Sequence, residues 1–317
     1  MSYSNESLAF STIPASEQIR LEDRVSFLYL EYCLIRQDRT GVIAVSRGDE
    51  KAPAELKDLP IKARIQLPVG GIAVLMLGPG TSISQPAATS CARAGVSVLF
   101  TGGGGVQAYS LSTPLTSSAR WAIAQARLAS NEAKQRTAAR ILYKRQLGIE
   151  EIEADSIAVM RGIEGRTIRN LYKRLSAKYK IKNFKRDTNA TDPVNTNLNL
   201  GNSILYGCAA SACAALGINP ALGIIHRGDI RSLLFDLADL YKPTLTIPAA
   251  FKCANNDDDG SEFRRLVRSE IVKQDLLKNM IHIMMEILAP YLPERTDDRL
   301  IGGRNREVPG HTQYGGK

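Results

Sequence analysis

Over the first third of the chain the apolar positions come in short runs, each closed by glycine, proline or polar turn residues. "RVSFLYLEYCLI" (24–35) is rich in β-branched and aromatic residues, "QDRTG" (37–41) supplies turn chemistry, and "VIAVS" (42–46) resumes the pattern. "KARIQL" (62–67), "GIAVLMLGPG" (71–80) and "VSVLF" (96–100) continue it, with "PAATSCARAG" (86–95) as one short helix feeding the last strand. "TGGGG" (101–105) lacks the GK[ST] of a P-loop and the spacing of a dinucleotide fingerprint, and reads as a glycine-rich hairpin.

The period changes after the polar, proline-containing stretch "SLSTPLTSSA" (110–119). Good helix formers with an apolar residue every three or four positions predict a helix over 121–148 and a second over 156–180. A third, over 198–217, is rich in small residues suited to close packing, and one or two more cover 261–292. The pattern predicts an α+β protein, with a small sandwich-like β domain over 21–110 and a larger all-α domain over 120–293. A linker (111–119) joins them. An extension (1–20) precedes them, and a Gly-rich, charged tail (294–317) that is expected to be disordered follows. A length of 317 residues suits two domains.

Five cysteines without CxxC spacing read as buried thiols in a reducing cytosol, neither a disulfide frame nor a zinc site. The N-terminus shows no basic region followed by an apolar core, and no run reaches the ~18 apolar residues of a membrane span. A soluble cytoplasmic protein, with no membrane partner, is therefore expected. The net charge of +9 points to a polyanion. It is concentrated. Residues 120–186 hold 17 Lys and Arg against 6 Asp and Glu, a local +11. Arg161, Arg166, Arg169, Lys173, Arg174 and Lys178 lie there, and after Glu164 no acid follows until Asp187. An ordinary solvated face interleaves acids, so a phosphate-binding face is favoured.

Candidate chemistry gathers in "HRGDIRSLLFDLADLYKP" (226–243). A helix capped by Ser232, running to Tyr241 and ended by Pro243, puts Asp236 and Asp239 on one ridge of an otherwise apolar surface. Two carboxylates held together there repel unless a cation sits between them: a divalent metal, or an arginine from the basic helices. His226 could be a satisfied core or turn residue, or a ligand that the short "RGDIR" turn folds back toward the aspartates. Asp229 has the simple explanation of turn chemistry. Glu164, in "MRGIEGRTIR", is flanked by Gly162 and Gly165. Two helical glycines suggest close approach by another helix or by a ligand; Arg161 and Arg166 make a surface ion pair the plain alternative. One histidine with several carboxylates suits Mg2+ or Mn2+, the imidazole leaning to Mn2+.

"RGIEGR", followed some sixty residues later by "GIIHRGDIRSLLFDLADLYKP", resembles the CRISPR-associated integrase, the catalytic subunit of the spacer-acquisition complex, in its type I-E variant. "EDRVSFLYLEY", "LPVGGIAVLMLGPGTSIS", "GVSVLFTGGGGVQAYS" and "SILYGC" extend the resemblance over most of the chain. The resemblance implies a metal-dependent DNA integrase and endonuclease of antiviral defence, in which a fragment's 3′-hydroxyl attacks a phosphodiester at the border of a CRISPR repeat. It implies Glu164, His226 and Asp239 as metal ligands, with Asp236 supporting them at the metal's edge. Tyr32 would stack on the end of the fragment's duplex, and Tyr206 would lie near its single-stranded 3′ end. Arg161, Arg166, Arg169, Lys173 and Arg227 are the further candidate DNA contacts. The implied partners are duplex DNA with splayed or single-stranded 3′ ends, CRISPR repeat DNA, and a small ferredoxin-like second acquisition protein. Homodimers, two per integration complex, complete the assembly. Asp229 and a short "NFKRDTNATDPVN" loop depart from the family's pattern. Two other readings stay open: a structure-selective metal-dependent nuclease that never integrates, and a non-catalytic basic DNA-binding scaffold.

Overall fold

The computed structural model describes residues 24–46, 64–103, 108–113, 119–149, 152, 154–255, 260–293, 299–301 and 307–309. Strands β1 (Val25–Leu30), β5 (Ile72–Leu77), β7 (Ser97–Thr101) and β8 (Ala108–Ser112) form one sheet in the order β1-β5-β7-β8. Its first three strands are parallel and β8 is antiparallel. Strands β2 (Cys33–Asp38), β3 (Gly41–Ser46), β4 (Arg64–Gln66) and β6 (Ser82–Ile83) form the second sheet, in the order β4-β3-β2-β6.

The single apolar run 24–35 therefore divides between two sheets. The break is at Tyr32, whose φ of 51° lies in the left-handed region and whose N–H donates to Pro79 O at 2.9 Å. Ile35, Val42, Ala44, Leu75 and Leu77 fill the space between the sheets, which makes the sandwich. Helix α1 (Gln85–Arg93), capped by Ser84, buries Ala87 and Cys91 in the same space.

Every residue of β5 is buried, because the other face of its sheet is covered too. Ala73, Val74 and Met76 belong to one continuous core with the helices. The covering element is α5 (Pro193–Leu216), and its small residues permit the contact: a Cβ on Gly207 would lie 3.1 Å from Val74, and Ser211 Oγ donates to Ala73 O at 3.2 Å. The strand-rich region thus keeps its own core between the sheets and shares a second one with the helices.

The predicted helix over 121–148 is two helices, α2 (Arg120–Ala129) and α3 (Glu132–Leu147). Asn131 breaks it by capping the second, its side chain accepting from Lys134 N at 3.0 Å. α4 (Ile157–Lys178) follows. α6 (Ser232–Asp239), α7 (Ile247–Cys253), α8 (Ser261–Lys273) and α9 (Leu276–Leu288) complete the helical part. The pairing of β7 with β8 agrees with a hairpin at "TGGGG", although residues 104–107 lie outside the described residues. Two boundaries differ from expectation. β8 carries strand structure through Ser112, into the predicted linker, and within the predicted disordered tail β9 (Arg299–Ile301) pairs antiparallel with β10 (Glu307–Pro309). The extension 1–20 and most of the tail lie outside the described residues. All five cysteines are free and buried, and no described helix is long and apolar enough to cross a membrane.

Candidate active site

The turn before α6 is built by short-range hydrogen bonds. Ser232 is not the cap; it is the first helical residue, and its Oγ donates to Asp229 O at 2.6 Å and accepts Asp229 N at 3.2 Å. The Asp229 carboxylate takes Arg231 N, Nε and Nη2 at 2.8–3.0 Å, an Asx-type turn closed by an ion pair. Pro243 does not stop the chain either. Lys242–Thr246 forms a π-helical turn leading directly into α7, and at its second position proline needs no N–H partner.

Asp236 is 1% exposed, yet fully partnered. Its Oδ2 accepts Ile224 N at 2.6 Å and Ile225 N at 3.1 Å; its Oδ1 accepts His226 N at 3.0 Å and lies 2.8 Å from His226 Nδ1. Three backbone amides and a ring nitrogen offset the burial of one carboxylate. Both oxygens are spent on the His226 segment, so Asp236 acts by holding the imidazole. With Nδ1 engaged, Nε2 faces outward, 4.0 Å from Asp239 Oδ2. The hydrogen bond to Asp236 raises the His226 pKa, against the opposing effect of burial.

The cation beside Asp239 is neither of those the sequence offered. Lys242, three residues on and at the start of the π turn, places Nζ 2.6 Å from Asp239 Oδ1. Burial pulls the Lys242 ammonium down, but Asp239 and Tyr206 outweigh it and hold its pKa above the ordinary lysine value. The i,i+3 spacing of Asp239 and Lys242 is the sequence signal of this pair.

Glu164 comes from α4. It accepts Gln146 Nε2, from α3, at 3.1 Å, and makes no ion pair with Arg161 or Arg166, both of which are exposed. Burial and the neighbouring Asp239 push its carboxyl up, while Gln146, His226 and Lys242 oppose the shift. The same electrostatic neighbourhood joins Glu164, His226, Asp239 and Lys242 in one cluster. Among the described residues, no three His, Cys, Asp or Glu side chains already converge closely enough to hold a metal ion. The donor chemistry suits a hard divalent cation nevertheless: two carboxylates and an imidazole nitrogen freed by its Nδ1 contact. Gly162 and Gly165 are not approached by another helix, since an added Cβ at either would meet nothing within 4 Å.

Beside Gly165 lies a groove of about 660 Å3, lined by Glu164, Gly165, Arg169, Tyr172, Lys173, Phe184, Lys185 and Arg186 among others. The loop after α4 is pinned to the start of α5: Arg186 donates to Asn195 and Asn199 Oδ1, and Asn195 Nδ2 donates to Lys185 O. Tyr206 belongs to the cluster, its ring 5.2 Å from that of Phe235 and 5.4 Å from Lys242 Nζ; Phe235 in turn meets His226 edge-on at 5.7 Å. Arg227 instead donates to Gln135 Oε1. Tyr32 sits in the β1–β2 turn, against Gly80. Gln146 and Lys242 are the residues that sequence reasoning missed; for Gln146 no sequence signal existed.

Buried Asp236 holding a half-buried His226, beside two further carboxylates of which Glu164 lines a basic groove, is an arrangement suited to handling phosphodiesters with a divalent cation. The model of the family described as CRISPR associated protein Cas1 matches residues 144–285. A CRISPR-associated endonuclease Cas1 from Clostridium sp. (strain SY8519) is 34% identical over 258 residues, covering 80% of this chain and 81% of its own. The Escherichia coli K12 endonuclease Cas1 is 28% identical, with 86% and 87% covered. The crystal structure of a TtCas1–DNA complex superposes with a TM-score of 0.76 at 30% identity, over 90% of this chain and all of that one. The chain belongs to the CRISPR-associated Cas1 family, the DNA endonucleases and integrases of CRISPR adaptation, and with membership comes a requirement for a divalent metal.

Proposed function

We propose that Glu164, His226 and Asp239 hold the divalent cation, Mg2+ or Mn2+, and that Asp236 positions His226. The observation that carries this reading is the double contact of Asp236 with His226, which commits Nδ1 and turns Nε2 toward Asp239. When bound, such a cation polarises a phosphodiester and stabilises charge on the departing oxygen. The protein's own part is to hold the strands. Arg169, Lys173 and Lys185 neutralise phosphates along the groove, the exposed Arg161 and Arg166 extend that field, and Tyr206 offers a ring beside the reacting atoms.

On this reading the chain inserts foreign DNA fragments into the CRISPR repeat array, the fragment's 3′-hydroxyl attacking at the repeat border. Its partners are DNA with splayed or single-stranded 3′ ends, repeat DNA and the small second acquisition protein. Two homodimers act per complex, in the cytoplasm, and Tyr32 stacks at the duplex end. The likeness to a Cas1–DNA complex at 30% identity supports the DNA partner. The test is strand joining of a 3′-hydroxyl duplex to a repeat-bearing supercoiled plasmid. Asp239→Ala, or chelation of the metal, abolishes joining while duplex binding largely survives. Joining retained in either condition refutes the site. A product that is only cut, never joined, marks a nuclease without integration.

A further inference from the structure

We propose that Lys242 is a built-in cation that occupies Asp239 until a divalent metal displaces it, so that metal and DNA bind this site cooperatively. The inference rests on the metal site proposed above. Lys242 Nζ lies 2.6 Å from Asp239 Oδ1, and the lysine side chain is only 22% exposed. Its backbone opens the π-helical turn, which is packed from behind: a Cβ on Gly201 would already meet Thr246 at 2.9 Å. Only the flexible four-carbon stem is free to move the ammonium.

Metal entry removes the anion from that ammonium. A largely buried ammonium left without a counter-charge is unfavourable, so metal binding alone carries this penalty. A DNA phosphate at the site supplies the anion that Asp239 withdraws. Metal then binds more tightly when DNA is present and, by linkage, DNA binds more tightly when metal is present. The exchange also keeps the carboxylates of Asp239 and Glu164 from facing each other uncompensated in the metal-free protein.

Calorimetric titration of Mn2+ into the full chain tests this, with and without a short duplex bearing a single-stranded 3′ tail. The proteins are wild type, Lys242→Met, Lys242→Gln, Lys242→Arg and Glu164→Ala, with thermal unfolding in chelator to establish that each is folded. Without DNA, the Met and Gln variants bind Mn2+ about tenfold more tightly than wild type, roughly the effect of one ion pair near 1.4 kcal/mol. Lys242→Arg binds like wild type. The DNA tightens Mn2+ binding to wild type and to the Arg variant, but not to the neutral variants. Equal or weaker Mn2+ binding by both neutral variants overturns the inference alone, as does an equal gain from DNA in all of them. Absence of any Glu164-sensitive Mn2+ binding overturns the metal site and this inference with it.

Discussion

Asp236 Oδ1 accepts the backbone N–H of His226 at 3.0 Å and lies 2.8 Å from Nδ1 of the same residue's ring. One carboxylate oxygen thereby sets both the path of the chain and the orientation of the imidazole. Asp239, three residues on and on the same ridge, is left free of that work and turned toward Lys242. The two aspartates, alike in sequence, divide into a positioning residue and a candidate ligand.

Removing Asp236 should therefore damage the fold more than removing Asp239 does. Asp236→Ala leaves three amides and a ring nitrogen without their acceptor and should cost about 3 kcal/mol or more. Asp239→Ala strands one ammonium, whose flexible stem can carry it toward water, and should cost about 1–2 kcal/mol, less than Asp236→Ala. Urea unfolding midpoints distinguish the two; equal destabilisation would contradict the division.

The glycines beside Glu164 give a second test. With nothing within 4 Å of either, alanine at Gly162 should stabilise the protein by about 1 kcal/mol, the ordinary helical difference. Gly165→Ala should stabilise equally but weaken DNA binding, because Gly165 lines the basic groove and Gly162 does not. Melting temperature and DNA affinity, measured on both variants, decide it. Unchanged affinity in Gly165→Ala would mean that no strand lies against that wall.

The cations can be sorted by salt dependence. Arg169→Ala should reduce the slope of log Kd against log salt by about 1, the signature of one lost phosphate contact. Arg227→Ala should leave the slope unchanged and slightly lower stability, since its guanidinium bonds Gln135 across to the α2–α3 junction. Reversed slopes would exchange their roles.

Asp229 carries a pH prediction. Arg231, through its guanidinium and then its backbone N–H, holds the Asp229 pKa down from 3.8 to about 2. A depressed carboxylate stabilises the fold above its unfolded pKa, and that contribution disappears as pH falls through the folded value. Because the pair is partly exposed, solvent screening limits it to about 1 kcal/mol. Asp229→Asn should be less stable than wild type at pH 6 and indistinguishable from it near pH 2. A stability gap that persists at pH 2 would assign the turn's stability to something else.

The parts of this protein that depend on local pattern were legible in the chain itself. Period and turn chemistry marked the strands and most helices; residue types made Glu164, His226, Asp236 and Asp239 candidates, and the family resemblance joined them into one set. The break at Asn131 escaped notice because a cap residue inside a helical composition is a weak local signal. The π turn through Pro243 is not legible because proline usually ends a helix, whereas here the turn is packed against α5 at Thr246.

Composition, periodicity and spacing determined by themselves that a β-rich part precedes a helical one, and that a basic face accompanies a histidine and three carboxylates. Tertiary structure alone decided that the first sheet shares the helices' core, that Gln146 meets Glu164, and which charge each carboxylate faces. Three backbone amides surround Asp236 and a lysine reaches Asp239, while Gly165 of α4 opens on a groove instead of a neighbouring helix. The physical reason is distance along the chain. Local propensity acts over a few residues, whereas the partner of a buried charge is whatever the fold brings within about 3 Å of it.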